Sequence, residues 1–292
     1  MTKPVKTDKK TEVETTGHSW DGIEELNNPL PRWWLYTFYL CIIFALGYSV
    51  AYPAWPMLTR ATPGFLGDST RQDVADDIAR FDAANTAIKA RLVEVDLTAI
   101  AQDPTLLQFA TNQGAAIFRT NCAQCHGLGA AGVQQSGYPN LLDDDWLWGG
   151  DINAIHTTIT HGIRNRSDPD AGYSQMPNFG TDALLSKIEI AAVAQYLRLI
   201  SGQDYDAALV SQGAALFKEN CAVCHGDAGL GNRDLGAPNL TDAIWLYGGS
   251  TKNITASITK ARFGVMPNWS PRLSEDAIRA VAIYVHGLGG GE

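Results

Sequence analysis

The segment GAAIFRTNCAQCHG, residues 114–127, recurs as GAALFKENCAVCHG at residues 213–226. With the same offset of 99 residues, PNLLDDDWLWGG (139–150) recurs as PNLTDAIWLYGG (238–249). Self-similarity at a fixed offset is typical of duplicated structural units. The sequence therefore predicts two tandem modules that share one fold.

The correspondence continues through the second half of each copy. MPNF at Met176 corresponds to MPNW at Met266, and IAAVAQYL (190–197) corresponds to IRAVAIYV (278–285), at offsets of 90 and 88 residues. The second copy is thus shorter by about ten residues in the loop before its methionine. Each copy reads as a helix, Cys-x-x-Cys-His, a Gly-rich loop, a short helix, a Met-Pro loop and a closing helix, without strand alternation. We predict a mostly α-helical module that occurs twice, joined by the polar link SGQDYD (201–206).

Each repeat contains the motif Cys-x-x-Cys-His, at residues 122–126 and 221–225. Two thiols at this spacing can form thioether bonds to the vinyl groups of one haem, and the histidine that follows can ligate its iron. Cys-x-x-Cys alone would also fit a thioredoxin-like site, a zinc site or, in an exported protein, disulfides. The adjacent histidine and the repetition favour haem. We predict two covalently bound haem c groups, held by Cys122, Cys125, Cys221 and Cys224, with His126 and His225 as proximal iron ligands.

The distal iron ligands are predicted from the methionines. Besides Met1 and Met57, the chain contains only Met176 and Met266. A single methionine usually fills a gap in a hydrophobic core, but these two occupy matched loops downstream of the two motifs. A thioether opposite histidine raises the reduction potential, and a six-coordinate iron has no open position. We predict Met176 and Met266 as distal ligands, and the sequence leaves open whether each serves its own repeat or the other.

Further residues of the repeats are candidate neighbours of the haems. Pro139 and Pro238 can each place a carbonyl that accepts the N–H of the proximal histidine. His156 and His161 have no histidine at the equivalent positions of the second repeat and are interpreted as surface or core residues. The aromatic residues of WLWGG and WLYGG have two interpretations: they contact the haem, by packing against the porphyrin or bonding a propionate, or they simply belong to the core. These residues are Trp146, Trp148, Trp245 and Tyr247.

A run of 20 residues without a charge, Trp33–Tyr52, precedes the repeats. This length is what an α-helix needs to cross the hydrocarbon core of a bilayer. Aromatic residues lie at both ends of the run, as in membrane-interface belts, and Pro31 and Pro53 bracket it. A buried core helix is the alternative. The run is too long for a cleavable signal peptide and has no small-residue cleavage site, so we predict an uncleaved membrane anchor.

The distribution of basic residues predicts the orientation of this anchor. Lys3, Lys6, Lys9, Lys10 and Arg32 precede the run, whereas only Arg60 follows it closely. By the positive-inside rule the N-terminus is expected in the cytoplasm and the repeats in the periplasm.

After the anchor, Asp68 or Ser69 is expected to cap a connecting helix that carries apolar residues at helical spacing; these are Val74, Ile78, Phe81, Ile88 and Leu92.

Composition restricts the class of partner. The net charge of −9 argues against a nucleic-acid partner, because phosphate binding needs clustered Lys and Arg. An acidic surface can steer a basic partner such as a soluble cytochrome c, although charge kept for solubility is an equal explanation. The remaining cysteine, Cys41, is interpreted as a small apolar residue of the anchor.

The whole chain resembles a known family. The segment HSWDGIEELNNPLPRWW (18–34), one span, a connector and two haem motifs are similar to the di-haem subunit (subunit III) of cbb(3)-type cytochrome c oxidases. The resemblance implies a mostly α fold, with one N-terminal transmembrane helix followed by two tandem class I cytochrome c domains. The expected segments are a cytoplasmic part (1–32), the anchor (33–56), a helical connector (57–107), cytochrome c domain 1 (108–202) and cytochrome c domain 2 (203–292).

This resemblance implies a role in electron input. Such a subunit accepts electrons from a soluble or membrane-bound cytochrome c and passes them to a mono-haem subunit and then to the catalytic haem-copper subunit. Oxygen reduction and proton pumping occur in the latter, so the chain is not expected to be an enzyme by itself. It also implies the same attachment and ligand residues, a place in the bacterial inner membrane, and lipid contact.

Two other functions are compatible with two haem motifs. One is a stand-alone membrane-tethered electron carrier, for which the distinctive segment before the span would be unnecessary. The other is a di-haem dehydrogenase or peroxidase, which needs an accessible iron. Two methionine candidates disfavour the enzyme.

Overall fold

A computed structural model describes residues 13–291 of the chain. The lysines at positions 3, 6, 9 and 10, on which the predicted orientation depends, lie outside the described residues. The chain divides into two compact units, residues 1–84 and 85–292. We describe each unit by itself.

About half of the described residues lie in helices, and their strands are confined to one short hairpin, which agrees with the predicted mostly α fold class. The first unit and the connector contain β1 (Thr15–Trp20), β2 (Ile23–Leu26), α1 (Arg32–Ala51) and α2 (Thr70–Glu94). The repeats contain α3 (Pro104–Ile117), α4 (Ala123–His126), α5 (Ile152–His161), α6 (Lys187–Ile200), α7 (Ala207–Asn220), α8 (Ala222–His225), α9 (Thr251–Thr259) and α10 (Glu275–His286). Short 3-10 segments are Leu97–Gln102, Gln134–Ser136 and Arg233–Leu235, and a π-helical turn is Phe118–Cys122.

An antiparallel hairpin, β1 and β2, precedes the first helix. Trp20 pairs with Ile23, so the connection consists of Asp21 and Gly22 alone. Both have positive φ, 49° and 85°, which is the conformation of the type I′ turn that Asp-Gly favours. The sequence analysis assigned no structure here, because the strands are short and lack a clear alternation of apolar and polar residues.

α1 coincides with the predicted anchor. It spans 20 residues from Arg32 to Ala51 and contains an 18-residue window with a mean hydropathy of 1.6, and all its residues are exposed or half-buried. The helix ends before Tyr52, which adopts an extended conformation next to Pro53. Length and apolar exposure together make α1 a candidate membrane span.

α2 is the predicted connecting helix, and Ser69 is its cap. The Ser69 side-chain oxygen accepts a hydrogen bond from the backbone N–H of Gln72 (3.4 Å). Ser69 therefore satisfies one of the donors left free at the helix start. Of the two predicted capping residues, it is Ser69 that makes this contact.

The two repeats exchange their closing helices. α3 and α5 of the first repeat pack against α10 of the second, whereas α6 of the first repeat packs against α7 and α9 of the second. One hydrophobic core contains Phe118 and Val281, and the other contains Phe217 and Val193. Each core thus combines residues of both repeats. We call the unit of α3, α4, α5 and α10 the first packed unit, and the unit of α6–α9 the second.

Equivalent residues make equivalent contacts in the two packed units. Phe118 pairs with Tyr284 at a ring-centroid distance of 5.5 Å, and Phe217 pairs with Tyr196 at 5.2 Å. In the repeat alignment Phe118 corresponds to Phe217, and Tyr284 to Tyr196. The exchange is therefore reciprocal, and both units have the same helix packing.

The short link between the repeats explains this exchange. Only residues 201–206 separate α6 from α7, and helices joined by so few residues pack as antiparallel neighbours. The guanidinium of Arg198 closes the link, since its Nε donates to the carbonyl of Asp204 (2.6 Å). Because α6 occupies the place beside α7, α10 is left to cover α3. The predicted domain boundaries 108–202 and 203–292 thus describe the repeats along the sequence. Each packed unit, in contrast, contains helices of both repeats.

Glycine allows the exchanged helices to approach closely. A Cβ at Gly114 of α3 would clash with the carbonyl oxygen of Ala280, and a Cβ at Gly213 of α7 would clash with that of Ala192. Both glycines are buried. The two backbones therefore touch where the helices cross.

We predict that Gly213→Ala and Gly114→Ala each destabilise the repeats, because helix backbones would have to separate. Overpacking of this kind costs about 1–3 kcal/mol. Chemical unfolding followed by far-UV circular dichroism measures the effect. Gly129→Ala is the matched control, since no heavy atom lies within 4 Å of a Cβ there; equal midpoints for all three variants would contradict the predicted contact.

Candidate haem-binding site

Two clefts contain the predicted haem residues, and each draws on both repeats. The first cleft is lined by Cys122, Cys125 and His126 of the first repeat together with Met266 of the second. The second cleft is lined by the corresponding motif of the second repeat, Cys221, Cys224 and His225, together with Met176 of the first. Their cavity volumes are similar, ≈ 240 and ≈ 220 Å³. The structure thus places each methionine opposite the motif of the other repeat, which the sequence had left open.

The proximal histidines are held by backbone carbonyls. His126 Nδ1 lies 3.3 Å from the carbonyl oxygen of Pro139, and His225 Nδ1 lies 3.0 Å from that of Pro238. A carbonyl only accepts, so Nδ1 carries the proton and Nε2 keeps a free lone pair. Burial lowers the pKa of both histidines, although the hydrogen bond to the carbonyl opposes this shift. The lowered pKa favours the neutral imidazole, which is the form that binds iron, and iron ligation by the two histidines stays a prediction.

The first cysteine of each motif favours the neutral thiol. Burial, and secondarily the neighbouring thiol, raises the pKa of Cys122 and of Cys221 to about 11. Redox-active Cys-x-x-Cys sites instead lower the pKa of one cysteine to favour the thiolate. All five cysteines lie within residues 13–291 and are free. This disfavours thioredoxin-like chemistry and leaves the thiols available for thioether bonds.

The loop that carries Met266 is fixed to the first repeat. The backbones of Met266 and Ile163 exchange two hydrogen bonds, each 3.0 Å long. Two residues further on, Asn268 accepts a hydrogen bond from the amide of Asn165 (2.7 Å) and donates to Asp168 (3.3 Å). Asn165 and Asp168 lie in the part of the first repeat that is about ten residues longer. The extra residues thus hold the Met266 loop.

The loop that carries Met176 is fixed to the second repeat in a simpler way. The side-chain oxygen of Asn178 accepts a hydrogen bond from the backbone N–H of Ala261 (3.1 Å). The backbone N–H of Gly180 donates to the carbonyl of Thr259 (3.1 Å). Each methionine loop is therefore attached to the chain just after the short helix of the opposite repeat.

The first tryptophan of each WL-x-GG segment lines a cleft, but the two indoles differ in their partners. Trp146 Nε1 donates to the carbonyl of Gly290. Trp245 Nε1 is buried and has no hydrogen-bond partner among the described residues. A buried N–H normally needs an acceptor, and a haem carboxylate would supply one in the second cleft. This orphaned donor, two thiols and a neutral histidine fit haem c.

The second aromatic residue of each segment crosses to the other repeat. Trp148 lies against Gly236, and Tyr247 lies against Gly137, where a Cβ would clash with either ring. Both glycines also have positive φ, 55° and 71°, so glycine is favoured for two independent reasons. The clefts therefore face each other across a reciprocal aromatic contact.

The remaining histidines of the first repeat lie outside the first cleft. His156 Nε2 is 3.0 Å from a Glu275 oxygen, and His161 Nδ1 is 3.2 Å from Asp168. Neither lines a cleft. Their interpretation as structural side chains fits these contacts.

Sequence analysis missed Arg164, which lines both clefts. The repeat alignment places Phe263 opposite Arg164, so no matched pair of residues indicates a site at this position. Asn165 and Asp168 were missed because they lie in the unmatched part of the loop. The sequence feature that could have indicated them is the greater length of the loop before Met176 than of the loop before Met266.

Two Cys-x-x-Cys-His clefts in repeated helical modules define a tandem c-type cytochrome. Comparison with known families agrees. Residues 109–197 and 208–285 match the model for cytochrome c oxidase, cbb3-type, subunit III, and residues 12–59 match the N-terminal domain of cytochrome oxidase-cbb3, FixP. The chain belongs to this family of cbb3-type oxidase subunits, with cytochrome c domains that bind haem c.

Relatives match over almost their full length. The Cbb3-type cytochrome c oxidase subunit CcoP of Cereibacter sphaeroides is 64% identical over 290 residues, which is 99% of this chain and 99% of that protein. The subunit CcoP of Rhodobacter capsulatus is 56% identical over 97% of this chain and 98% of its own length. The subunit FixP of Sinorhizobium medicae is 49% identical over 98% of this chain and 97% of its own length. The resemblance seen in the sequence is confirmed, as is the fold class.

Asp145 lies between the first cleft and an acidic cavity of ≈ 530 Å³. Burial, and secondarily the nearby carboxylates of Asp242, Asp143 and Asp144, raises its pKa to about 6. The folded chain thus holds this proton more tightly than the unfolded chain. Stability is therefore lost as the pH rises from the ordinary Asp value through about 6.

We predict that Asp145→Asn stabilises the chain at pH 7 and that this gain disappears near pH 4, where the parent carboxyl is already neutral. Unfolding midpoints measured across this range test the prediction. Asp227→Asn, which removes an exposed carboxylate that is not among the groups acting on Asp145, is the control. A gain that is equal at both pH values would contradict the assignment.

Proposed function

We propose that this chain is the electron-input subunit of its oxidase. It accepts electrons from a soluble or membrane-bound cytochrome c and delivers them to the mono-haem and catalytic haem-copper subunits, where oxygen is reduced to water and protons are pumped. The observation that carries the proposal is that each Cys-x-x-Cys-His cleft is also lined by a methionine. Two relatives, each named as a subunit of a cbb3-type cytochrome c oxidase, support assembly into such a complex.

The proposed ligand sets follow the composition of the clefts. In the first cleft, Cys122 and Cys125 would form the thioether bonds, and His126 and Met266 would be the iron ligands. In the second cleft, Cys221 and Cys224 form the bonds, with His225 and Met176 as the iron ligands. Two haem c groups per chain are the consequence. The shared lining of each cleft supports this crossed pairing.

Bound haem c supplies a reversible one-electron change at iron. The side chains determine that little else happens there. A histidine and a methionine together complete the coordination of iron, and the cleft walls are formed largely by core residues such as Phe118 and Phe217. These features favour an electron carrier over a peroxidase, which needs an open position.

The two clefts are close enough to share wall residues. Leu147, Leu246 and Gly264 each line both clefts. The proposed route of electrons between the haems therefore crosses the wall that the two clefts share. This contact supports transfer within one chain before electrons leave for another subunit.

The membrane orientation is part of the proposal. α1 is the candidate span, and the hairpin before it would lie in the cytoplasm, with the repeats in the periplasm of a bacterial inner membrane. Protease added to spheroplasts is expected to cut the repeats and to spare an epitope placed before Arg32. The reverse pattern would contradict this orientation.

We predict that the chain, extracted in mild detergent, co-migrates on native gels with oxygen-reducing activity and with haem stain. Deleting residues 13–30, which leaves α1 in place, is expected to remove the haem-stained band from the active complex. A haem band that migrates alone at 31.6 kDa in the parent would instead favour the stand-alone carrier.

We predict that Met266→His lowers the potential of the haem in the first cleft and Met176→His that in the second, because imidazole stabilises ferrous iron less than a thioether does. Variants with one haem separate the two. With Cys221 and Cys224 replaced by serine, only the first haem remains, and redox titration should respond to Met266→His and not to Met176→His.

The reciprocal variant, with Cys122 and Cys125 replaced by serine, is the matched control. Its remaining haem should respond to Met176→His alone. If each haem responded to the methionine of its own repeat, the crossed pairing would be wrong while methionine ligation would stand. Unchanged potentials in every variant would exclude methionine ligation.

A further inference from the structure

Arg164 lies in the wall between the two clefts and lines both of them. It follows α5 and the Ile163 backbone pair that holds Met266. Its backbone has a positive φ of 52°, which is unusual for a residue with a side chain. The local chain path thus directs a cation to the place where the two haem clefts meet.

Neutral groups surround the guanidinium. Arg164 Nε donates to the carbonyl of Ser174 (2.6 Å), and Nη1 lies 3.4 Å from the carbonyl of Gly264. The ring centroids of Trp148 and Phe263 lie 5.8 and 5.7 Å from its central carbon. Arg164 therefore has a defined position with donors to spare, since a guanidinium carries five N–H groups.

The positive charge of Arg164 has no carboxylate partner among the described residues. The ionisable groups that act on it are the phenols of Tyr247 and Tyr173. Burial lowers its pKa, but an arginine side chain remains protonated at neutral pH. A half-buried cation among carbonyls and aromatic rings is costly unless an anion balances it.

We propose that Arg164 is a shared anion-binding residue, whose guanidinium is the counter-charge for haem carboxylates in both clefts and raises the potentials of both haems. The inference rests on the proposed function, because it requires a haem in each cleft. Reduction adds one negative charge to each haem. A nearby cation in surroundings of low polarity stabilises this added charge.

The two other arginines at the clefts provide a built-in comparison. Arg262 lines only the second cleft and lies 4.5 Å from the ring centroid of Tyr247. Arg272 lines only the first cleft and lies 5.5 Å from that of Trp269. Both are exposed. Only Arg164 lines both clefts among these three, so only its removal should affect both haems.

The test is redox titration of the full-length haem-containing chain, after pyridine haemochrome measurement has counted the haems. Arg164→Gln is expected to weaken reduction of each haem about tenfold, a fall of about 59 mV in both potentials. Arg262→Gln should lower only the potential that Met176→His also lowers. Arg272→Gln should lower only the potential that Met266→His lowers.

Arg164→Lys keeps the charge and is expected to restore most of both potentials. If Arg164→Gln fails to fold, infrared redox difference spectra of Arg164→Lys decide, because the carboxylate bands of both haems should shift from those of the parent. A change at one haem alone, equal potentials for Arg164→Gln and the parent, or unshifted carboxylate bands would overturn the shared role. Fewer than two haems in the parent would contradict the proposed function itself, and the role of Arg164 with it.

Discussion

The closest helix contacts in the repeats join elements of different repeats. Gly114 lets α3 touch the backbone of α10, and Gly213 lets α7 touch that of α6. Each closing helix follows directly on a methionine loop, so α10 brings Met266 to the first cleft and α6 brings Met176 to the second. The crossed arrangement of motifs and methionines is thus a consequence of helix packing. A side chain at Gly114 or Gly213 would displace α10 or α6, and would thereby disturb the cleft to which that helix brings a methionine.

This interlocking also makes the two haem clefts depend on each other. Neither repeat contains all the helices that cover its own motif, so neither can form its core alone. The reciprocal contacts of Trp148 with Gly236 and of Tyr247 with Gly137 join the cleft walls further. Two neighbouring clefts joined by such contacts suit electron transfer between the proposed haems.

The repeats are symmetric in packing and asymmetric in electrostatics. The longer loop of the first repeat contains Asn165 and Asp168, which hold Asn268 and so the Met266 loop. Arg164 lies just before them, and its counterpart in the second repeat is Phe263. One cation therefore lies where the clefts meet, in a chain whose net charge is −9. Differences between the two haems are expected to arise from this loop and not from the shared helices.

The sequence by itself determined the parts that depend on local order. Two cysteines and a histidine must be adjacent in sequence to serve one haem, and a membrane span is a continuous apolar run. The proline whose carbonyl accepts from His126 or His225 lies at the same distance along the chain in both repeats. Each of these features could therefore be predicted. Helix pairing, the partner of each methionine and the place of Arg164 were decided only by the tertiary structure. Two similar closing helices have similar apolar faces, so their sequences fit either core, and the choice depends on the short link at 201–206 and on which backbones lie side by side.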